Sequence, residues 1–286
     1  MAATPSASFD AEVESGERFE FGENWSRFLE VLDQDRIAEA QSSLQQMLDR
    51  DDLSGLTFLD LGSGSGLFSL AAAHLGAQRV HSVDYDPGSV ACTRELKSRY
   101  GPPATDWTVA QGSALDAAYL HSLGGFDIVY SWGVLHHTGD MWSALGNAAQ
   151  AVADHGRLFI SIYNDQGARS ALWRAVKRLY NRLPQAARLP FVFAVMVPRE
   201  VLTAAKSVVR GRPLEYVRGW TNYKSTRGMS RWHDLVDWVG GYPFEVAKPE
   251  EILDFLRPRG FDLERMKTCG GGLGCNQFVF KRTAPV

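Results

Sequence analysis

Short apolar runs alternate along the chain with stretches whose apolar residues recur every three or four positions. Phe58 to Leu61 reads as a parallel strand buried on both faces, with glycines at 62, 64 and 66 directly after it. Leu67 to Leu75 has helix-forming composition, Arg79 to Val83 reads as the next strand, and Asp84 ends it. A third strand is expected before Gly112, a fourth from Phe126, and a fifth over Gly156–Ile162. Near the end, Pro249 to Leu256 reads as a helix, Phe261 to Thr268 as a strand and Asn276 to Lys281 as its antiparallel partner. Ahead of the core, Ala38, Leu44, Met47 and Leu48 recur near a helical period, and Gly55 is expected to end that element. These patterns predict an α/β fold of alternating strands and helices. A helical segment at 1–52 precedes a core at 53–163, and 246–286 completes the sheet. Between them, 164–245 is too long for a simple connection and reads as a helical cap.

Composition narrows the class. With 286 residues, 45% of them hydrophobic and 22% charged, the chain can bury a full core, which excludes disorder away from its ends. No basic region followed by a long apolar run opens it, and no stretch is apolar for as long as a spanning helix needs, so the expectation is a cytoplasmic protein. Three cysteines, Cys92, Cys269 and Cys275, are too few for a disulfide framework.

The candidate chemistry lies in Phe58 to Asp86, where a strand, a glycine-rich turn, a helix and a second strand ending in an acid follow one another. The glycines leave room for a ligand against the backbone, the helix start offers free N–H groups, and Asp84 suits a ribose diol. A dinucleotide fingerprint is G-x-G-x-x-G/A, whereas the spacing here is G-x-G-x-G with Asp60 two residues ahead. An acid there repels a pyrophosphate and favours a cofactor with an amino group. Asp60-Leu-Gly-Ser-Gly-Ser-Gly66 resembles the first motif of the class I S-adenosylmethionine-dependent methyltransferases. The resemblance continues through Asp84, Gly112–Asp116, Phe126–His137 and Gly156–Ile162, covering about Leu56 to Ile162 in order.

The resemblance implies a seven-stranded, doubly wound Rossmann-like sheet and S-adenosyl-L-methionine as cofactor. Asp60, Gly62, Ser63, Gly64 and Gly66 would hold its methionine part, Asp84 its ribose, Tyr85 one adenine face, and Ser113 with Ala114 the adenine edge. Ser131 and Trp132 would complete the wall. Ser113 stands where relatives often carry an acid, so Asp116 or the backbone is the alternative contact. In this superfamily an N-terminal helix often closes over the methionine end, and Trp25 is the candidate to stack there. The loop after strand four lies beside the departing methyl group, which makes His137 and then His136 candidate bases or orienting groups. Tyr163 and Asn164 are candidate pocket walls, and Asp165 a candidate partner for a histidine or substrate.

Charge is unevenly spread. Gln166 to Arg231 holds 14 Lys or Arg against Glu200 and Glu215, within a chain of net charge −3. A basic cap suits an acidic substrate, a phosphate-bearing carrier, an anionic membrane surface or nucleic acid. Leu189–Val197 and Val201–Val209 are apolar between the bases, as for a membrane interface, a greasy substrate pocket or a homodimer contact. No RNA-binding module is visible, so nucleic acid is the less favoured partner. Arg227 to Glu245 mixes aromatic and titratable groups, among them His233, Asp234 and Asp237. With Tyr223 and Arg227, His233 and Asp234 are candidate substrate contacts, and one histidine without a suitably spaced second gives no metal site. The expected function is methylation, at oxygen, of a small or carrier-linked acidic or lipidic metabolite. The alternatives are RNA methylation and a non-catalytic scaffold.

Overall fold

The computed structural model describes residues 5–22, 25, 28–29, 32–212, 214, 236 and 238–283. Two N-terminal helices, α1 (Pro5–Glu14) and α2 (Gln34–Leu48), lead into β1 (Thr57–Leu61), α3 (Leu67–His74), β2 (Arg79–Asp84), α4 (Pro87–Tyr100) and β3 (Asp106–Gln111). There follow α5 (Ala117–Ser122), β4 (Phe126–Trp132), a 3₁₀ turn at Leu135–His137, α6 (Met141–Gln150) and β5 (Val152–Tyr163). Two long cap helices, α7 (Ala168–Arg182) and α8 (Gln185–Val209), come before α9 (Pro249–Leu256), β6 (Phe261–Lys267) and β7 (Cys275–Arg282).

The sheet runs β3-β2-β1-β4-β5-β7-β6. Its neighbours are parallel except around β7, which is antiparallel to both β5 and β6. The two-residue period of the strands sorts their side chains into two cores. Leu59, Leu61, Val129, Leu158, Ile160, Phe278 and Phe280 meet α5, α6 and α9 on one face. Phe58, Ile128, Tyr130, Phe159 and Val279 meet α2, α3 and α4 on the other. The order reverses between β1 and β4, which opens a crevice at their C-terminal ends, where ligands bind in such sheets.

Two local expectations are corrected. Helix α2 stops with Asp49 in the left-handed region at φ 54°, six residues before Gly55, and its buried face is Ile37, Ala40, Leu44, Met47 and Leu48, with Ala38 exposed. Strand β5 begins at Val152 rather than Gly156: Val152 pairs with Phe126, and a register irregularity, which no apolar run marks in the sequence, separates that pair from Arg157 opposite Ile128.

The cap is joined to the core through a small cluster of its own. Tyr180, Val192, Met196 and Val239 are buried together, with Phe19, Trp173 and Trp238 packed around them. Asn181 donates to the Gly240 carbonyl at 2.6 Å and Arg174 to the Phe244 carbonyl at 3.0 Å. The N-terminal segment belongs to the same assembly: Phe19 N–H donates to the Tyr242 carbonyl at 2.9 Å, and its ring lies 6.3 Å from that of Tyr180. No helix among the described residues is long and apolar enough to cross a membrane.

Phe58 is fully buried and stacks at 5.8 Å on Tyr130. Phe58→Ala is expected to cost about 3–5 kcal/mol through lost burial and a residual cavity, read as a lower denaturation midpoint at unchanged slope.

Candidate active site

The glycine-rich turn is fastened to the end of β2. Gly62 and Ser63 N–H both donate to the Val83 carbonyl, at 2.7 and 3.1 Å, and Gly64 N–H donates to Asp84 Oδ2 at 2.8 Å. Gly62, Gly64 and Gly66 have φ of 83°, 54° and 83°, a region that L side chains rarely adopt. Space is also refused: a Cβ on Gly62 would lie 2.3 Å from Val134, and one on Gly64 3.0 Å from the Trp25 indole. Ser63 spends its hydroxyl on Thr93 of α4 at 2.9 Å, so what it turns toward the crevice is backbone.

Two carboxyls face this turn in unlike settings. Asp60 is buried, accepts from Ser69 at 2.6 Å, and burial pushes it up to about 7 against that hydrogen bond. Asp84 is pushed up to about 6, again by burial, while accepting from Gly64 and Asp86 N–H. A buried acid with one donor partner, a Cβ-free cradle and a second acid at a strand end fit an ammonium and a ribose diol, and thus S-adenosylmethionine. Asp60 would hold its amino end and Asp84 its sugar.

Tyr85 sits beside Asp84 with Phe9 edge-on at 5.5 Å, the Arg18 guanidinium 4.8 Å over its ring, and its hydroxyl donating to Glu12 at 3.0 Å. The Trp25 ring lies on Gly64 and edge-on to Phe28 at 6.2 Å, so it covers the methionine end of the turn. Gly22 N–H donates to Asp86 Oδ2 at 2.6 Å, pinning this N-terminal cover to the β2–α4 corner. Ser113 Oγ accepts from Leu115 N–H at 3.1 Å, and Asp116 caps α5 by accepting from Tyr119 N–H at 2.9 Å. Asp116 gives Oδ1 to the helix start, as Ser113 gives its hydroxyl to Leu115 N–H. Ser131 departs from expectation: its hydroxyl is fully buried and donates to the Leu61 carbonyl at 2.8 Å, so it ties β4 to β1 while exposed Trp132 alone stands at the rim.

At the other end of the crevice, aromatic rings crowd around Tyr163. His136 lies 4.0 Å from it, His137 5.5 Å, Phe244 5.2 Å and Trp238 5.8 Å between centroids. The two histidines differ. His137 Nδ1 lies 2.6 Å from the Pro243 carbonyl, an acceptor only, so the proton is on Nδ1 and Nε2 keeps its lone pair. His136 Nδ1 accepts from Tyr163 N–H at 3.3 Å, which leaves Nε2 as the donor. That Nε2 and Trp238 Nε1 are buried without a hydrogen-bond partner among the described residues. Burial drives both histidines toward the neutral form, His137 down to about 3, and Lys177 adds to it.

Two cations here were not expected from the sequence. Lys177 is fully buried, donates to the Trp238 carbonyl, and lies 5.3 Å and 5.0 Å from the Trp238 and Phe244 centroids. Arg18 donates to the His137 carbonyl at 3.0 Å while covering Tyr85, bridging both halves of the crevice. Asp165 does not hold a histidine: its carboxylate accepts from Gly167 N–H at 2.8 Å, and backbone groups hold both imidazoles. Asn164 accepts from Asn276 of β7 at 3.0 Å, just past the end of β5. Tyr223, Arg227, His233 and Asp234 lie outside the described residues, and no group of metal-ligating side chains occurs among those described.

Residues 59–158 match the family described as Methyltransferase domain. A ribosomal protein L11 methyltransferase of Anoxybacillus flavithermus is 32% identical over 117 residues, 36% of this chain and 37% of that protein. Another, from Methylococcus capsulatus, is 50% identical over 58 residues, 20% of each chain. The chain therefore spans only about a fifth to somewhat over a third of these curated relatives. In fold it is similar to the Synechocystis PCC 6803 magnesium protoporphyrin IX methyltransferase with bound SAH, at TM-score 0.51 and 16% identity, over 86% of this chain and 83% of that one. A Bacillus halodurans C-125 structure described as a methyltransferase gives TM-score 0.51 at 12% identity, over 85% of this chain and all of the other. With the glycine turn, its two acids and the seven-stranded sheet, these findings show that residues 59–158 are similar to a methyltransferase domain and that the chain shares the fold of solved methyltransferases.

Proposed function

We propose that this protein transfers a methyl group from S-adenosylmethionine to an oxygen of a small or carrier-linked metabolite of acidic or lipidic character. The observation that carries this reading is the His137–Pro243 hydrogen bond, which leaves Nε2 unprotonated in the loop that follows β4. The cofactor supplies a methyl group on a sulfonium, displaced in line, so the chain's own residues have mainly to orient the acceptor and take up its proton.

His137 is held too far toward neutrality to deprotonate an ordinary alcohol. It suits an acidic hydroxyl, such as a phenol or enol, whose proton passes to His137 Nε2 as the oxygen takes the methyl group and from there to solvent. The buried Lys177 and Arg18 favour the negative charge that develops there. His136 Nε2 and Trp238 Nε1, two buried donors flanking Tyr163, are satisfied by further oxygen atoms on the acceptor. The aromatic walls supply apolar contact for its body. The ribosomal protein named in the relatives is not carried over, because the shared stretches cover only 20% and 36% of this chain.

Asp60 must ionise to hold the cofactor's ammonium, and its carboxyl titrates at about 7. Below that pH the protonated form competes, so the dissociation constant measured by calorimetry should rise up to about tenfold per unit of falling pH and level off above it. In the apo protein the sign is opposite: a raised carboxyl pKa favours the folded state as pH falls from about 7 toward the unfolded value. Asp60→Asn should flatten the affinity profile between pH 6 and 8; an unchanged slope would remove Asp60 from this role.

His137→Ala should lower kcat about 10²- to 10⁴-fold while leaving cofactor affinity unchanged. Because His137 stays neutral down to about 3, kcat at saturating cofactor should be level between pH 8 and 6. An acid limb near 6.5 that vanishes in His137→Ala would show a protonating base of ordinary strength and overturn the reading.

A further inference from the structure

Helix α8 packs on the cap through Val192 and Met196, yet it is just as apolar where it faces away. Leu189, Phe193, Val197 and Val201 follow one another at i, i+4 spacing, and each is about half exposed or more, with Val201 at 62%. Leu202, Val208 and Val209 extend this face toward the helix end, Val209 reaching 87% exposure. The row beside it runs Leu202, Lys206, Arg210, so cations border the apolar residues along one edge. The exposed charged side chains on α7 and α8 are Arg169, Arg174, Arg178, Arg182, Arg199 and Lys206, with Arg210 just past the end of α8, and the one acid of the two helices, Glu200, is partly exposed. These stand in a chain whose net charge is −3.

The three readings of these apolar segments are thereby separated. A substrate-pocket lining would turn the i, i+4 row inward, but the inward residues are Val192 and Met196. A twofold contact between copies would bring two basic helices together, with a single partly exposed acid, Glu200, on each to offset the cations. Nucleic acid would meet the cations but strand the Val, Leu and Phe row against phosphate. An anionic lipid surface satisfies both features, taking the apolar row at the acyl boundary and the Lys and Arg side chains at the headgroups.

We propose that α8 is an interfacial helix that docks this protein, without spanning, on anionic membranes. The inference is independent of the methyl-transfer reading, since its readout is partitioning rather than turnover. The full chain is mixed with vesicles of phosphatidylcholine alone or of phosphatidylcholine with phosphatidylglycerol, and the bound fraction is measured by co-sedimentation at low and high salt. Binding to the anionic vesicles is expected, weakened by salt and weakened at least about tenfold by Val197→Asp with Val201→Asp. Lys206→Glu with Arg210→Glu should erase the preference for phosphatidylglycerol. The substituted positions are exposed, so calorimetric cofactor binding and thermal unfolding should be unchanged in both variants, which shows that they fold. Absence of binding to either vesicle, or equal binding by wild type and Val197→Asp with Val201→Asp, overturns the proposal. So does a wild-type dimer in sedimentation that those substitutions convert to monomer, which would assign the face to a second copy.

Discussion

The hydrogen bonds that lock the turn after β1 to the end of β2 set the geometry from which the site is built. Val83 offers one carbonyl to two successive N–H groups, and Asp84 receives a third from Gly64. Three donors in a row can converge on a neighbouring strand end only if the backbone enters the left-handed region, which is why glycines stand at 62, 64 and 66. Fixing this turn fixes the floor of the crevice between β1 and β4. It also fixes where Val134 packs, and with it the start of the loop that delivers both histidines.

The second half of the site is assembled from parts remote in the chain. Tyr163 ends β5, the histidines follow β4, Phe244 precedes α9, Lys177 lies on α7, and Arg18 arrives from the N-terminal segment. Low polarity makes each contact count: the same burial that keeps His137 neutral strengthens the field of Lys177 and raises the cost of leaving Trp238 Nε1 unpartnered. The cap and the N-terminal segment are therefore walls of the site as well as elaborations of the sheet.

How much of this was legible in the chain depended on whether the signal was local. The strand–turn–helix from Phe58 to Asp84 carries its own period and its own glycines, so its elements and its two acids could be placed in advance. Strand β5 was read four residues short because Val152–His155 makes no apolar run, and of these four only Val152 has a partner on β4, Phe126, ahead of a register irregularity. Gly55 was read as a helix end because glycine favours positive φ, but Asp49 takes that conformation first. Ser131 was expected at the cofactor wall from its place after strand four, whereas the pleat turns it inward to Leu61. Lys177 was indistinguishable from its basic neighbours, since only packing of α7 against Trp238 and Phe244 separates it from Arg178. Arg18 carries no motif at all, and its role exists only once residues more than a hundred positions apart are brought together.

Asp86 does two jobs with one carboxylate. Oδ1 caps α4 by accepting from Gly88 N–H, and Oδ2 receives Gly22 N–H from the N-terminal segment. A helix start and a covering loop therefore share an anchor, although 64 residues lie between Gly22 and Asp86. Their amide protons are thermodynamically joined: an opening that frees Gly22 also uncovers half of the acid capping α4, so exchange protection at the two places rises and falls as one cooperative unit. The cover over Tyr85 and the helix behind the cofactor turn thus share a local stability, although neither follows the other in the chain.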